Sequence, residues 1–102
     1  MAGTAKRIPS ALWFDTLAVT DKAAGGAIGT AAATVDLYGS FDVNQTTAAQ
    51  TLSLPSPTVT TTGLVVIISN VGSQSFTIHG VALAAGASQI AKWTGAAWSK
   101  VT

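Results

Sequence analysis

From Thr34 onward, short runs with apolar residues at alternate positions are separated by clusters of Gly, Pro, Asn and Ser, the pattern of strands joined by turns. Val35, Leu37 and, across Gly39, Phe41 and Val43 predict extended structure with one break, followed by a loop at Asn44-Gln45-Thr46-Thr47. Gln50 to Leu54 alternates, with Leu52 and Leu54 inward and Thr51 and Ser53 outward. Pro55 and Pro57 end that run because neither can donate to a ladder. Leu64 to Ile68 is apolar at every position, which predicts a strand covered on both faces, the second cover being another subunit. Phe76 and Ile78 then point one way and Thr77 and His79 the other. After Gly80 the apolar phase moves to Val81 and Leu83, the shift a β-bulge produces. Gln89 to Trp93 and Trp98 to Val101 form the last two strands, and Trp93 and Trp98 flank the connection between them as a hairpin clamp or a ligand platform.

Residues 1–33 show no clean period. A start containing Lys6, Arg7, Ile8, Trp13 and Phe14 runs into the small-residue tract Ala23 to Ala33, which cannot build a substantial core alone. This stretch is expected to be an extended N-terminal arm with one short strand, Ala11 to Val19, leaving residues 34–102 as an all-β domain. Pro9, Ser10 and Asp15 interrupt the apolar run that a signal peptide would need after Lys6 and Arg7.

Composition narrows the function. Ala, Thr, Gly and Ser make up more than half of the 102 residues, and only 9% are charged where about a quarter is usual. A net charge of +1 leaves no basic footprint for nucleic acid or an anionic membrane. No cysteine is present, so there is no disulfide framework, thiolate nucleophile or zinc-thiolate site. The longest apolar run, Leu64 to Ile68, is far shorter than a membrane-spanning helix requires.

Little remains from which to build catalysis. Asp36 and Asp42 are the only two carboxylates close together on the expected sheet, and a turn at Tyr38-Gly39-Ser40 could oppose them as a glycosidase pair. They have no other ionisable partner there and are expected to be solvated or intersubunit charges. His79 lacks a nucleophile elbow and reads as structural. The GGAIG stretch at residues 25–29 has neither a preceding strand of normal character nor a following Lys-Ser/Thr, so it is no phosphate loop, and Asn44-Gln45-Thr46 is a bare glycosylation triplet. No catalytic residue, cofactor or metal is expected.

Residues 51–98 carry a further signal. TLSLPSPTVTTTG, VVIISNVGSQSFTIHG and LAAGASQIAKWTGAAW occur in that order. The series resembles a module of tailed-bacteriophage virion-surface proteins, in which an LPSPT segment, a strand ending in N-x-G, an FTI-x-G strand, an AAG-x-S turn and a closing W-x-G-x-x-W follow one another. The resemblance covers about half the chain, on turn and packing residues. It implies a small antiparallel β-sandwich or jelly-roll-like domain that assembles as a homotrimer.

On that basis the expected role is capsid decoration, or cement: a trimer on the outside of the shell, bound to the major capsid protein and to itself, with no nucleic-acid or membrane partner. Lys6, Arg7, Ile8, Trp13 and Phe14 are assigned to capsid docking, and Leu64, Val66, Ile68 and Phe76 to the core or trimer interface. The alternative is a short head-fibre or tail-fibre module that binds host-surface glycans through Tyr38, Trp93 and Trp98.

Overall fold

The computed structural model describes residues 14–102. Nine strands follow the alternating runs: β1 (Thr16–Val19), β2 (Gly26–Ala27), β3 (Ser40–Val43), β4 (Gln50–Ser53), β5 (Val65–Asn70), β6 (Phe76–Ile78), β7 (Val81–Leu83), β8 (Ser88–Trp93) and β9 (Trp98–Lys100). The described residues contain no helix. They form two mixed sheets, one ordered β1-β3-β5-β8-β9 and the other β2-β4-β6-β7.

The path of the chain explains this order. It passes from the first sheet to the second and back, laying β1, β3 and β5 side by side in parallel and β2, β4 and β6 likewise. The first six strands are thus three stacked turns of a flattened coil. In the first sheet Thr16 is level with Ser40 and Ser40 with Ile67; in the second Gly26 is level with Leu52 and Leu52 with Ile78. The coil then reverses: β7 pairs antiparallel with β6, β8 with β5, and β9 with β8.

Three sequence expectations are corrected. The expected all-β character holds among the described residues, in two sheets, but the pairing expected to be antiparallel throughout is not, since four of the seven pairings are parallel. Strand periodicity fixes which side chains point inward, and it is silent about the direction of a neighbouring strand. The arm boundary expected at residue 33 also moves, because β1 and β2 belong to the two sheets and Ile28 is fully packed into the core. Small residues there are strand and turn material for the first coil turn rather than a tether. Finally, His79-Gly80 is a two-residue hairpin turn between β6 and β7, not a bulge within a strand. Both residues have positive φ (51° and 77°), the backbone of a type I′ turn, which reproduces a phase shift because it reverses the chain.

One core lies between the sheets. Phe41, Val43, Val66, Ile68 and Ala91 of the first meet Leu52, Phe76, Ile78 and Leu83 of the second, with Val35 and Leu54 closing the sides. β5 alternates, burying Val66, Ile68 and Asn70 while Val65 stays 39% exposed. Among the described residues, the strand expected to be covered on both faces is covered on one.

At the corner where the chain leaves the first sheet, polar side chains hold the turns together. Gln45 is fully buried; its amide accepts from Lys22 N (3.0 Å) and donates to the carbonyls of Lys22 (3.2 Å) and Thr47 (3.0 Å). Its backbone carbonyl accepts from Ser73 and Gln74. Asn70, one turn on, donates to Gln74 O and Leu83 O and accepts from Gly72 N. These bonds satisfy backbone groups that a buried corner would otherwise strand.

Candidate docking surface

All parallel strands of the first sheet begin at the same end of the molecule, so the segments that enter them gather there. Residues 31–38 form a series of tight turns, with Thr34 N bonded to Ala31 O, Asp36 N to Ala31 O and Tyr38 N to Thr34 O. Leu37, expected in a strand, lies instead in this turn series and is 62% exposed. The Ala31-Ala32-Ala33 tract favours helical-type backbone over extended backbone, which accounts for the difference.

The β4–β5 connection lies beside it and is held from two sides. Trp98 Nε1 donates to Pro55 O (2.9 Å) and Trp93 Nε1 to Thr60 O (3.1 Å). From the other side, the Asp36 carboxylate accepts from the Thr58 hydroxyl and from Thr58 N. Those two bonds, the hydroxyl first, hold the Asp36 carboxyl below its ordinary value. Between the segments is a depression of about 510 Å³ lined by Val35, Asp36, Pro57, Thr58, Val59, Thr61 and Leu64. Val59 is 72% exposed. The result is an apolar recess whose walls are fixed by hydrogen bonds, a form suited to receiving an apolar anchor.

Phe14 enters at this same end. Its ring lies against Gly39, where a Cβ would come within 2.5 Å of Phe14 Cδ1, so only glycine admits the ring at that place. Lys6, Arg7, Ile8 and Trp13, the other residues assigned to docking, lie outside the described residues. Leu64 lines the recess, while Val66, Ile68 and Phe76 are in the core. Pro57 and Val59 are not singled out by periodicity, since an apolar residue within a Thr-rich connection belongs to no repeating pattern.

The residues considered for chemistry are dispersed among structural tasks. Asp36 is engaged by Thr58, whereas Asp42 is on the opposite side of β3 from the buried Phe41 and Val43, beside Ala18 and Ser69. Asp21 accepts from Thr47 Oγ1 (2.6 Å) and from the N–H groups of Thr46 and Thr47, which lower its pKa. Among the described residues no three acidic or imidazole side chains gather into a metal site. Trp93 and Trp98 meet edge to face at 5.5 Å, and both indole N–H groups are used internally. Tyr38 is packed against the core. The two indoles are a hairpin clamp.

His79 stacks on Trp98 at 6.0 Å and shares a hydrogen bond between Nδ1 and Gln89 Oε1 (3.0 Å). Its Nε2 is buried without a partner, and burial lowers its pKa despite the Gln89 bond. The unfolded chain therefore takes up a proton near 6.5 that the folded chain accepts only at lower pH. Stability is whole above that value and declines as the pH falls below it. His79→Asn keeps the turn, since Asn-Gly suits a type I′ hairpin. Thermal melts between pH 7 and pH 5 are expected to show this decline for the parent chain and a smaller one for the variant.

Comparison with protein-family models, curated proteins and solved structures finds no match to this chain.

Proposed function

We propose that this chain is a capsid decoration protein of a tailed bacteriophage, binding the outside of the assembled shell as a homotrimer and stabilising it. The observation that carries this reading is the fixed apolar recess at the strand-entry end, the end at which residues 1–13 join the fold through Phe14. Recess and N-terminal segment together offer the major capsid protein one extended two-part contact. The two facing sheets fit the sandwich expected of such a module, and the charge-poor surface suits close packing against protein neighbours. Stabilisation follows from linkage, since a protein that binds the closed shell better than its open or dissociated forms shifts the balance toward closure by that difference in affinity. The glycan-binding alternative draws less support, because Trp93, Trp98 and Tyr38 are engaged internally.

The test mixes purified protein with expanded shells depleted of it. Saturable co-sedimentation and longer shell survival under heat or low salt are the expected results. Absence of binding, with adhesion to host cells or glycans instead, would overturn the reading in favour of a fibre module.

A further inference from the structure

The coil has two unlike ends. At its head β1 and β2 are edge strands, and at its tail β9 extends the five-stranded sheet past the four-stranded one. Among the described residues neither β1 nor β9 has a second neighbour. The hydrogen-bond phase shows which backbone groups this leaves open. Asp15 O and Val19 O accept from β3 and its flanks, so in a parallel ladder the N–H and C=O groups of Thr16 and Ala18 point away from it. At the tail, Thr94 N bonds to Ala97 O and Val101 N to Ile90 O, which places Ser99 in the ladder and turns the backbone of Trp98 and Lys100 outward.

The head edge reads TLAV, with no Lys, Pro or bulge to blunt it. Beside it is a shallow recess of about 330 Å³ whose lining includes Leu17, Val19, Ile28 and Ala33. Charge is also divided between the ends. All four aspartates lie in residues 15–42, within the first two coil turns, whereas Lys92 and Lys100 are on the last two strands. Lys22 is at the head, and Lys6 and Arg7 lie outside the described residues. Pairing two heads would bring Asp15 and Asp42 toward their own copies, and pairing two tails would do the same for Lys92 and Lys100. Pairing head with tail sets unlike charges together.

We propose that copies of this chain associate head to tail, the open β1 edge of one receiving the open β9 edge of the next, so that the five-stranded sheet continues from subunit to subunit. Within a subunit β9 runs in the same direction as β1, being antiparallel to β8, which is antiparallel to β5. A rotation about an axis along the strands therefore joins the two edges as a parallel pair, and three such steps close a ring. This inference rests on the reading of the chain as a self-assembling shell protein, to which it adds the contact surfaces.

Two edge variants test it in the full chain. Ala18→Pro removes an N–H that no described residue of the protomer uses, and Lys100→Pro does the same at the tail, positions at which an edge strand accepts proline. Circular dichroism and melting establish that each variant is folded. By sedimentation velocity over a concentration series, the parent chain is expected to form trimers and each variant to remain monomeric. Their mixture should form a one-to-one dimer through the one intact head and the one intact tail. Asp15→Lys and Lys100→Asp, which leave the backbone unchanged, should each weaken association at least ten-fold at low salt and recover it only in part when mixed, as one-to-one dimers, because a ring of three made from two kinds of subunit keeps one like-charged contact. A monomeric parent chain, edge variants that still form trimers, or mixtures that stay monomeric would each overturn the proposal. Shell co-sedimentation is read separately, so a monomer that still saturates shells refutes the head-to-tail contact and leaves the decoration reading standing.

Discussion

Deleting residues 2–13 is expected to abolish retention on depleted shells while leaving the melting transition of the remaining chain within a few degrees of the parent. The cut ends before Phe14, whose ring occupies the space beside Gly39, and before β1, whose four residues pair with β3. A deletion extended to residue 16 would remove the ring and the first residue of β1, and so would confuse loss of docking with loss of a coil turn. Within residues 2–13, Lys6, Arg7, Ile8 and Trp13 combine charge with apolar anchors, and truncation of a few such anchors commonly removes most of the affinity of an interface. Co-sedimentation and a thermal melt on the same sample check both halves of the expectation. Unchanged retention would eliminate the segment as the docking element and leave the apolar recess to account for binding alone.

The second large effect is expected at Gly72. A Cβ there would lie 2.1 Å from Gln45 O and 2.2 Å from Gln45 N, and both are backbone atoms in the buried corner. Gln45 cannot withdraw, because its carbonyl accepts from Ser73 and Gln74 and its side chain is tied to Lys22 and Thr47. Overpacking a rigid site costs about 1–3 kcal/mol and occasionally more, and this one lies at the upper end because no flexible side chain can yield. For a domain of this size, Gly72→Ala should lower the melting temperature by about 10 °C or more. Gly86→Ala is the informative control: its φ of +84° disfavours a side chain, but nothing lies within 4 Å of the added carbon. It should cost only about 1 kcal/mol. Gly72 itself has no positive φ, so its loss must come from the contact with Gln45, and a loss no larger than that at Gly86 would show that the corner yields to the added carbon.

Much of the strand content was legible in the alternation of residues. Leu52, Val66, Ile68, Phe76, Ile78 and Leu83 all fill the core, because a strand with one covered face must repeat every two residues. What alternation omits is the partner of each strand. Parallel stacking comes from connections that cross between sheets, and nothing in Phe41-Asp42-Val43 records that β1 lies on one side and β5 on the other. Of the first coil turn only β1 is legible, within the strand expected over Ala11 to Val19; its place in the core is not, because its buried contributions are few, Leu17, Val19 and Ile28 among small residues, and a two-residue strand such as Gly26–Ala27 is too short to show a period. The recess was missed for a related reason: Val35, Pro57 and Val59 are adjacent only after two long connections fold against each other. Gln45 and Asn70 read as loop residues by type, whereas their burial reflects the corner each one bridges.

The stacked turns also bear on how such a molecule can change in size. Each turn of the coil meets its neighbours through ladders that continue in register, Thr16 to Ser40 to Ile67 and Gly26 to Leu52 to Ile78. A duplicated turn inserted between two existing ones would find matching edges above and below, and would lengthen the stack by one strand spacing of about 4.8 Å. The closing strands and their tryptophan clamp would be carried outward intact. Height in this architecture is therefore a quantity that evolution can alter in whole steps, independently of the surfaces at either end.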